Sequence, residues 1–352
     1  MFVVSSKYRQ HKYGSVLVLV LIVLSSMLIL SVGLAYRTQI ELRLARSNAR
    51  RTQVYYLALG GIERAKILLG QEELTASGIA KLCQFTASAT EEGLFEQIED
   101  FSLPDGVLLT YGLRDEQGYL NLNNSDPASW ANLGFVSEQC RAGIIDWTDE
   151  DDQAEQDGAE ADYYLRLEPA YTSKNKPFTA LKELLYLRSV TKRSYMGEDL
   201  NHNLSLDDNE RDGLFRLPPD NEDGVLDLGL LDVFTVYGDG RININTVSGL
   251  ILSALQGLDA QAAEAILAYR AGPDGRLGTE DDAAVENAED FAEIEGLTEL
   301  QIEILKDYCC FDSTCFRVFS SAGRDNDYQC CLMATIGYVD NQIRVLSLER
   351  LL

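Results

Sequence analysis

SVLVLVLIVLSSMLILSVGL, residues Ser15–Leu34, carries no charged side chain across its length. At 1.5 Å per helical residue such a run crosses about 30 Å, the thickness of a bilayer's hydrocarbon core. Lys7, Arg9 and Lys12 precede it, and cytoplasmic retention of this basic flank predicts a single pass with the body outside the cytoplasm. An ordinary secretory signal has a shorter apolar core and a small-x-small cleavage site; no Ala-x-Ala follows here. Beyond the run, Tyr36–Leu69 lacks proline, and apolar or small residues recur at helical spacing at Ile40, Leu44, Val54, Leu57, Gly61, Ala65 and Leu68. The two stretches predict one helix of roughly 55 residues, about 80 Å long, running from membrane into a folded domain.

Charge separates the two ends of the 352-residue chain. Residues 1–70 hold ten Lys/Arg against Glu41 and Glu63, so a chain of net charge −26 leaves −34 on residues 71–352. Such a body repels phosphate backbones and anionic surfaces and suits cations or basic partners, so nucleic acid is not an expected partner. The only histidines are His11 and His202. A Ser/His or Cys/His nucleophile pair would have to use His202, so no catalytic residues are assigned and the chain reads as a non-enzyme. Cys309, Cys310, Cys315, Cys330 and Cys331 cluster near the C-terminus, with Cys83 and Cys140 apart. In an oxidising compartment these predict one or two disulfides of open connectivity. No CxxC pair supports zinc.

Lys12-Tyr13-Gly14 before the uncharged run resembles a type IV prepilin leader. That resemblance implies cleavage by a prepilin peptidase after Gly14, leaving Ser15 as the first mature residue. Most pilins carry Glu at mature position five; here it is Leu19, which resembles the exception known for GspK-type minor pseudopilins of type II secretion systems. The body follows the same family. Asp115–Asn123 (DEQGYLNLN) resembles its DExGxLNLN strand, and Asp146-Trp147-Thr148-Asp149 with Gly158-Ala159-Glu160 and Tyr163-Tyr164 resembles its DWxD…GAExxYY stretch. Lys174–Phe178 leading to Glu183-Leu184-Leu185, and Arg241–Thr246 (RININT), match further motifs in order.

The resemblance implies an α+β fold: a pilin-like head, its long N-terminal helix packed on an antiparallel sheet, with a large all-α insertion. The corresponding division is leader 1–14, membrane-spanning helix 15–34, head 35–123, insertion 124–310 and closing strands 311–352. Residue patterns agree. Residues 105–123 alternate like strand, as do Cys315–Ser321, Cys330–Tyr338 and Gln342–Leu348. Short helices are predicted at Glu138–Asp146, Thr179–Leu187, Ser248–Leu255, Ala260–Arg270 and Thr298–Tyr308. Function implied by the family is a non-enzymatic subunit at the tip of a periplasmic pseudopilus, in the inner membrane, with GspI- and GspJ-type partners.

Two acidic loops have cation-binding character. Asp199, Asn201, Asn203, Asp207 and Glu210 place oxygens at positions 1, 3, 5, 9 and 12 of a twelve-residue loop, and Ser205 offers a carbonyl at position 7. A calcium ion needs six or seven oxygens and a closing bidentate acid; Leu204 stands where the turn usually has Gly. Asp220, Asn221, Asp223 and Asp227 form a second candidate. The segment has few apolar residues, so a structural calcium would substitute for core. Asp274-Gly275 with Glu280-Asp281-Asp282 is a weaker candidate, read as an ordinary turn.

Ile244–Thr246 and Leu255-Gln256-Gly257-Leu258-Asp259 resemble the helix-hairpin-helix module of DNA-binding proteins, which grips phosphate with a Gly-hydrophobic-Gly hairpin. Asp259 replaces the second glycine, setting a carboxylate beside any phosphate. The alternative function, a DNA-uptake or adhesion minor pilin, rests on this unit.

Overall fold

The computed structural model describes residues 14–71, 78, 96–97, 108–199, 221, 223–277, 279, 281–324, 328–339 and 342–351. Helix α1 (Gly14–Gln71) realises the proline-free N-terminal pattern as one element. The chain divides into two units at Gln53/Val54. In the first, the side chains from Val16 to Leu34 are exposed, and this is the one described helix long and apolar enough to cross a membrane.

The second unit begins with the last turns of α1 and continues through β1 (Glu96–Gln97), β2 (Leu108–Asp115) and β3 (Leu120–Asn121). Short helices follow: α2 (Pro127–Trp130), α3 (Glu138–Thr148), α4 (Ala161–Tyr164) and α5 (Lys192–Met196). Next come β4 (Phe234–Thr235), β5 (Ile242–Asn243), α6 (Gly249–Ala254), α7 (Ala260–Arg270), α8 (Glu299–Tyr308) and β6 (Cys309–Cys310). β7 (Cys315–Arg324), β8 (Tyr328–Val339) and β9 (Gln342–Arg350) close the chain. The main sheet is antiparallel in the order β1-β2-β7-β8-β9. β2 pairs with β7 from Leu108↔Gly323 to Asp115↔Phe316, so everything between them is an insertion at one ladder.

Alternation along β2, β7 and β8 sends every second side chain to α1. Leu109, Tyr111, Leu113, Phe316, Val318, Leu332, Ala334 and Ile336 meet Val54, Ala58, Ile62, Ala65 and Leu69 in one buried cluster. The buried stripe is rotated from the expected one, with Leu57 and Leu68 only flanking it. Small residues decide the face: a Cβ at Gly61 would collide with Ser320, so glycine there lets helix and sheet approach closely.

Three expectations are revised. The insertion is not purely helical, because β3 pairs in parallel with β4 and β5 with β6. Residues 181–186 form a 3-10 helix rather than an α-helix. The six described cysteines, Cys140, Cys309, Cys310, Cys315, Cys330 and Cys331, are unbridged. Cys309-Cys310 and Cys330-Cys331 lie on strands, where neighbouring side chains point to opposite faces. Cys83 lies outside the described residues.

Candidate metal centre

Helix α3 starts at Ser137, whose side chain accepts from the Cys140 amide, and ends with Asp149 as its C-cap. Asp146 and Asp149, three positions apart, therefore share a face at the helix end. The chain loops through residues 150–158 and returns Glu160, the residue preceding α4. Ligand oxygens of Asp146, Asp149 and Glu160 lie within 4.8 Å of one another. Asp146 is fully buried and Glu160 is 4% exposed.

Asp146 and Glu160 are each tied down by one oxygen and bare at the other, and Asp149 is bare at Oδ1. The Glu155 amide donates to Asp146 Oδ1 at 2.9 Å, and Ser173 Oγ donates to Glu160 Oε2 at 2.8 Å. Asp146 Oδ2, Asp149 Oδ1 and Glu160 Oε1 are buried with no hydrogen-bond partner. A Cβ at Gly158 would strike Asp146 Oδ2, so only glycine lets the returning loop close over the site. Burial, then Asp151, Asp146 and Glu155, pushes the Asp149 carboxyl above its ordinary range. Burial also raises Glu160, with Asp146 and Asp149 adding to it against the Ser173 hydrogen bond. Three clustered carboxylates, each with one unpartnered oxygen and with no sulfur or nitrogen donor among them, fit a hard divalent cation rather than zinc. The DWTD…GAE spacing was visible in sequence; that its acids converge was not, because the loop between them sets the approach.

Of the twelve-residue loop, Asp199 is described and buried; Asn201, Asn203, Ser205, Asp207 and Glu210 lie outside the described residues, as does Asp220. Asn221, Asp223 and Asp227 are described and exposed. They gather around a residue not picked out from sequence, Glu198. Its buried carboxylate accepts from the Asn221 and Asp227 amides, both at 3.1 Å, and from Arg193 at 2.6 Å. Arg193 and Asn221 Nδ2 each also reach Asp227 Oδ2 at 3.2 Å. Asn221 Oδ1 and Asp223 Oδ1 accept from amides two residues on.

The hairpin between α6 and α7 forms as expected. Asp259 Oδ1 accepts from the Ala262 amide at 2.8 Å and so caps α7. The carboxylate occupies the helix N-terminus that a phosphate would need.

Residues 130–197, which include Asp146, Asp149 and Glu160, match the family model described as type II secretion system (T2SS), protein K. The type II secretion system protein K of Pseudomonas aeruginosa is 29% identical over 198 residues, 51% of this chain and 58% of the relative. That of Klebsiella pneumoniae is 26% identical over 208 residues, 53% of this chain and 60% of the relative. The chain is similar to the type II secretion K proteins, and residues 130–197 carry their family signature. Its matches span somewhat more than half the length of these relatives. The fold has a solved counterpart in the GspK-GspI-GspJ complex of enterotoxigenic Escherichia coli: TM-score 0.52 at 16% identity, covering 87% of this chain and 98% of that one. The K-family match falls in the insertion between β2 and β7, the part that carries the acidic centre.

Proposed function

We propose that this chain is a non-enzymatic minor pseudopilin of a type II secretion system. It is held in the inner membrane by the first twenty residues of the mature helix, with its body in the periplasm. One observation carries the reading: a K-protein insertion interrupts a helix-on-sheet head whose helix opens with an exposed, uncharged, membrane-length run. In this reading a prepilin peptidase cuts after Gly14, and GspI- and GspJ-type subunits are the partners. The insertion is too bulky for another subunit to stack on, which suits the pseudopilus tip. Leu19 fits that place, since a terminal subunit need not dock onto an earlier one. The DNA-uptake alternative gains nothing from the hairpin, whose helix N-terminus is already capped by Asp259.

Calcium belongs to the proposal as a structural ion. Asp146, Asp149 and Glu160 would supply three ligands at one site, and the loop from Asp199 to Glu210 the ligands of another. The ion would contribute positive charge at a point where the chain gathers only acids.

N-terminal sequencing of the protein from membranes of a host with the secretion genes tests the reading. It should begin at Ser15, and Gly14→Val should abolish processing. A mature chain beginning at Met1 or beyond residue 35 would refute it.

A further inference from the structure

Residues 163–193 run against the charge of the body that carries them. They hold seven Lys/Arg against Glu168 and Glu183, a local +5 inside a body of −34. Lys174 and Arg193 are committed to Glu183 and Glu198, at 2.7 and 2.6 Å, while Lys176, Lys182, Arg188 and Lys192 stand exposed. The same stretch mounts a tray of aromatic rings. Tyr186 lies parallel to the buried Trp147, centroids 6.3 Å apart and planes 4° apart, yet is 55% exposed, so one ring face is backed and the other open. Tyr171 meets its edge at 5.7 Å and donates its hydroxyl to the Tyr186 carbonyl at 2.7 Å. Through Tyr164 the rings continue to Tyr163, which lies under the Arg188 guanidinium at 5.0 Å. Resting on the periplasmic reading above, we infer that this surface binds peptidoglycan, a sugar ring lying on the open face of Tyr186 and a stem-peptide carboxylate meeting Arg188.

The way the ring is held suits such a ligand. A tyrosine fixed by a stack behind it and a hydrogen-bonded neighbour beside it loses little conformational freedom when a ligand arrives. Its open face is apolar and electron-rich, which matches the C–H face of a sugar ring. Arg188, its guanidinium over Tyr163, keeps planar donors for bidentate pairing with a carboxylate.

Charge density separates this ligand from others. Duplex DNA carries a charge about every 1.7 Å, and the acidic body would repel most of them. Screening confines attraction by the basic segment to about 8 Å at physiological salt. A ligand must therefore bring few charges, well separated, over the patch itself, as a glycan with carboxylates only on its peptide stems does. A folded protein partner would need about 800 Å² of surface around an apolar centre. Within residues 163–193 the large exposed apolar side chains are Leu165 and Tyr186, set among cations.

The test sediments the full chain, in detergent, with purified peptidoglycan sacculi. Wild type should pellet with them, and Tyr186→Ala should lose about tenfold in affinity, the loss of one stacking contact. Tyr186→Phe keeps the ring and should bind as wild type does. Arg188→Gln, a surface change that spares the tray, should weaken binding several-fold and flatten its salt dependence. Sacculi stripped of their stem peptides should no longer distinguish Arg188→Gln from wild type. No pelleting of wild type, or equal pelleting by wild type, Tyr186→Ala and Arg188→Gln, overturns the inference. Retention on lipopolysaccharide micelles but not on sacculi overturns it as well. N-terminal sequencing of the same protein keeps the two readings apart. A start at Ser15 without pelleting leaves the pseudopilin reading standing, whereas a start at Met1 removes that reading and this inference with it.

Discussion

The two faces of the main sheet are packed with different chemistry. Toward α1, β2, β7 and β8 present Tyr111, Leu113, Phe316, Val318, Ala334 and Ile336, and the contact is mostly apolar, with Ser320 and the Tyr338 hydroxyl, which donates to the Leu69 carbonyl at 3.2 Å, as polar members. Toward the insertion, the same strands present the buried Arg317 and Thr335 beside the apolar Phe319 and Met333, which join the insertion's own core. Arg317 forks onto the buried Glu116 at 3.0 and 2.8 Å, donates to the Leu231 and Phe234 carbonyls, and lies 4.2 Å above the Tyr119 ring. Thr335 completes the network by donating to Glu116 Oε1 at 3.1 Å. A 58-residue helix provides a long stripe for hydrophobic burial. Helices of four to eleven residues offer the sheet no such stripe, so beside Phe319 and Met333 the insertion is also pinned by buried polar groups that must all be satisfied.

Breaking the polar pin should have the largest effect. Arg317→Met leaves Glu116 buried and uncompensated, which costs on the order of 3–5 kcal/mol. Chemical denaturation should show that loss, and the double variant Glu116→Gln/Arg317→Met should recover part of it by removing the stranded charge. If Arg317→Met alone is neutral, the two faces do not differ as described.

The next effect depends on pH. Asp115 ends β2, buried, and accepts from Asn243 at 2.9 Å, Thr246 at 2.6 Å, the Gln117 amide at 2.9 Å, and Ser313. Burial still pushes its carboxyl up from 3.8 to about 6 against those hydrogen bonds. The folded state thus holds this proton more tightly than the unfolded chain. Its contribution is complete below about pH 4 and is lost as pH rises through about 6. That amounts to on the order of 3 kcal/mol. Stability of Asp115→Asn relative to wild type should therefore rise across that window, and an unchanged difference would discount the group.

These contrasts explain what could be read in advance. α1 and β7–β9 carry long uninterrupted patterns, so their existence and order were legible, although the buried stripe of α1 turned from Leu57 and Leu68 to Ala58, Ile62 and Leu69. Glu116 and Arg317 are 201 residues apart and no local period links them. Glu198 lay hidden for the same reason: its partners Asn221 and Asp227 arrive from a later segment. The acids of the DWTD…GAE stretch were noticed as a motif, but their convergence depends on Gly158, whose missing side chain is informative only once Asp146 is seen beneath it.

Calcium should give a somewhat smaller effect than the two buried groups. At about 100 times its dissociation constant an ion adds about 2.7 kcal/mol. Calcium should therefore raise the melting temperature over chelator, and Asp146→Asn or Glu160→Gln should remove most of the rise. Glu210→Ala tests the other loop separately. Magnesium should do less, since it holds a tighter octahedral shell and keeps its waters. Identical melting of wild type and Asp146→Asn with calcium and with chelator would reduce the centre to a strained acidic cluster.

The smallest expected effect tests whether the hairpin is packing or a dormant nucleic-acid site. Asp259 Oδ1 takes the Ala262 amide at the start of α7, while Ala262, Ala263 and Ile266 bury their side chains in the insertion core. Asp259→Ala should cost about 1 kcal/mol, the usual loss for an N-cap. Removing one carboxylate frees an amide that a phosphate would find attractive, so a latent site would reveal itself in this variant. The body around it still carries −33 after the change, from −34, and counterion release cannot drive binding to such a surface. Duplex DNA should therefore remain unbound at physiological salt by fluorescence anisotropy. Salt-sensitive micromolar binding by Asp259→Ala, absent in wild type, would show that the hairpin keeps a phosphate-gripping geometry and that this one side chain is what silences it.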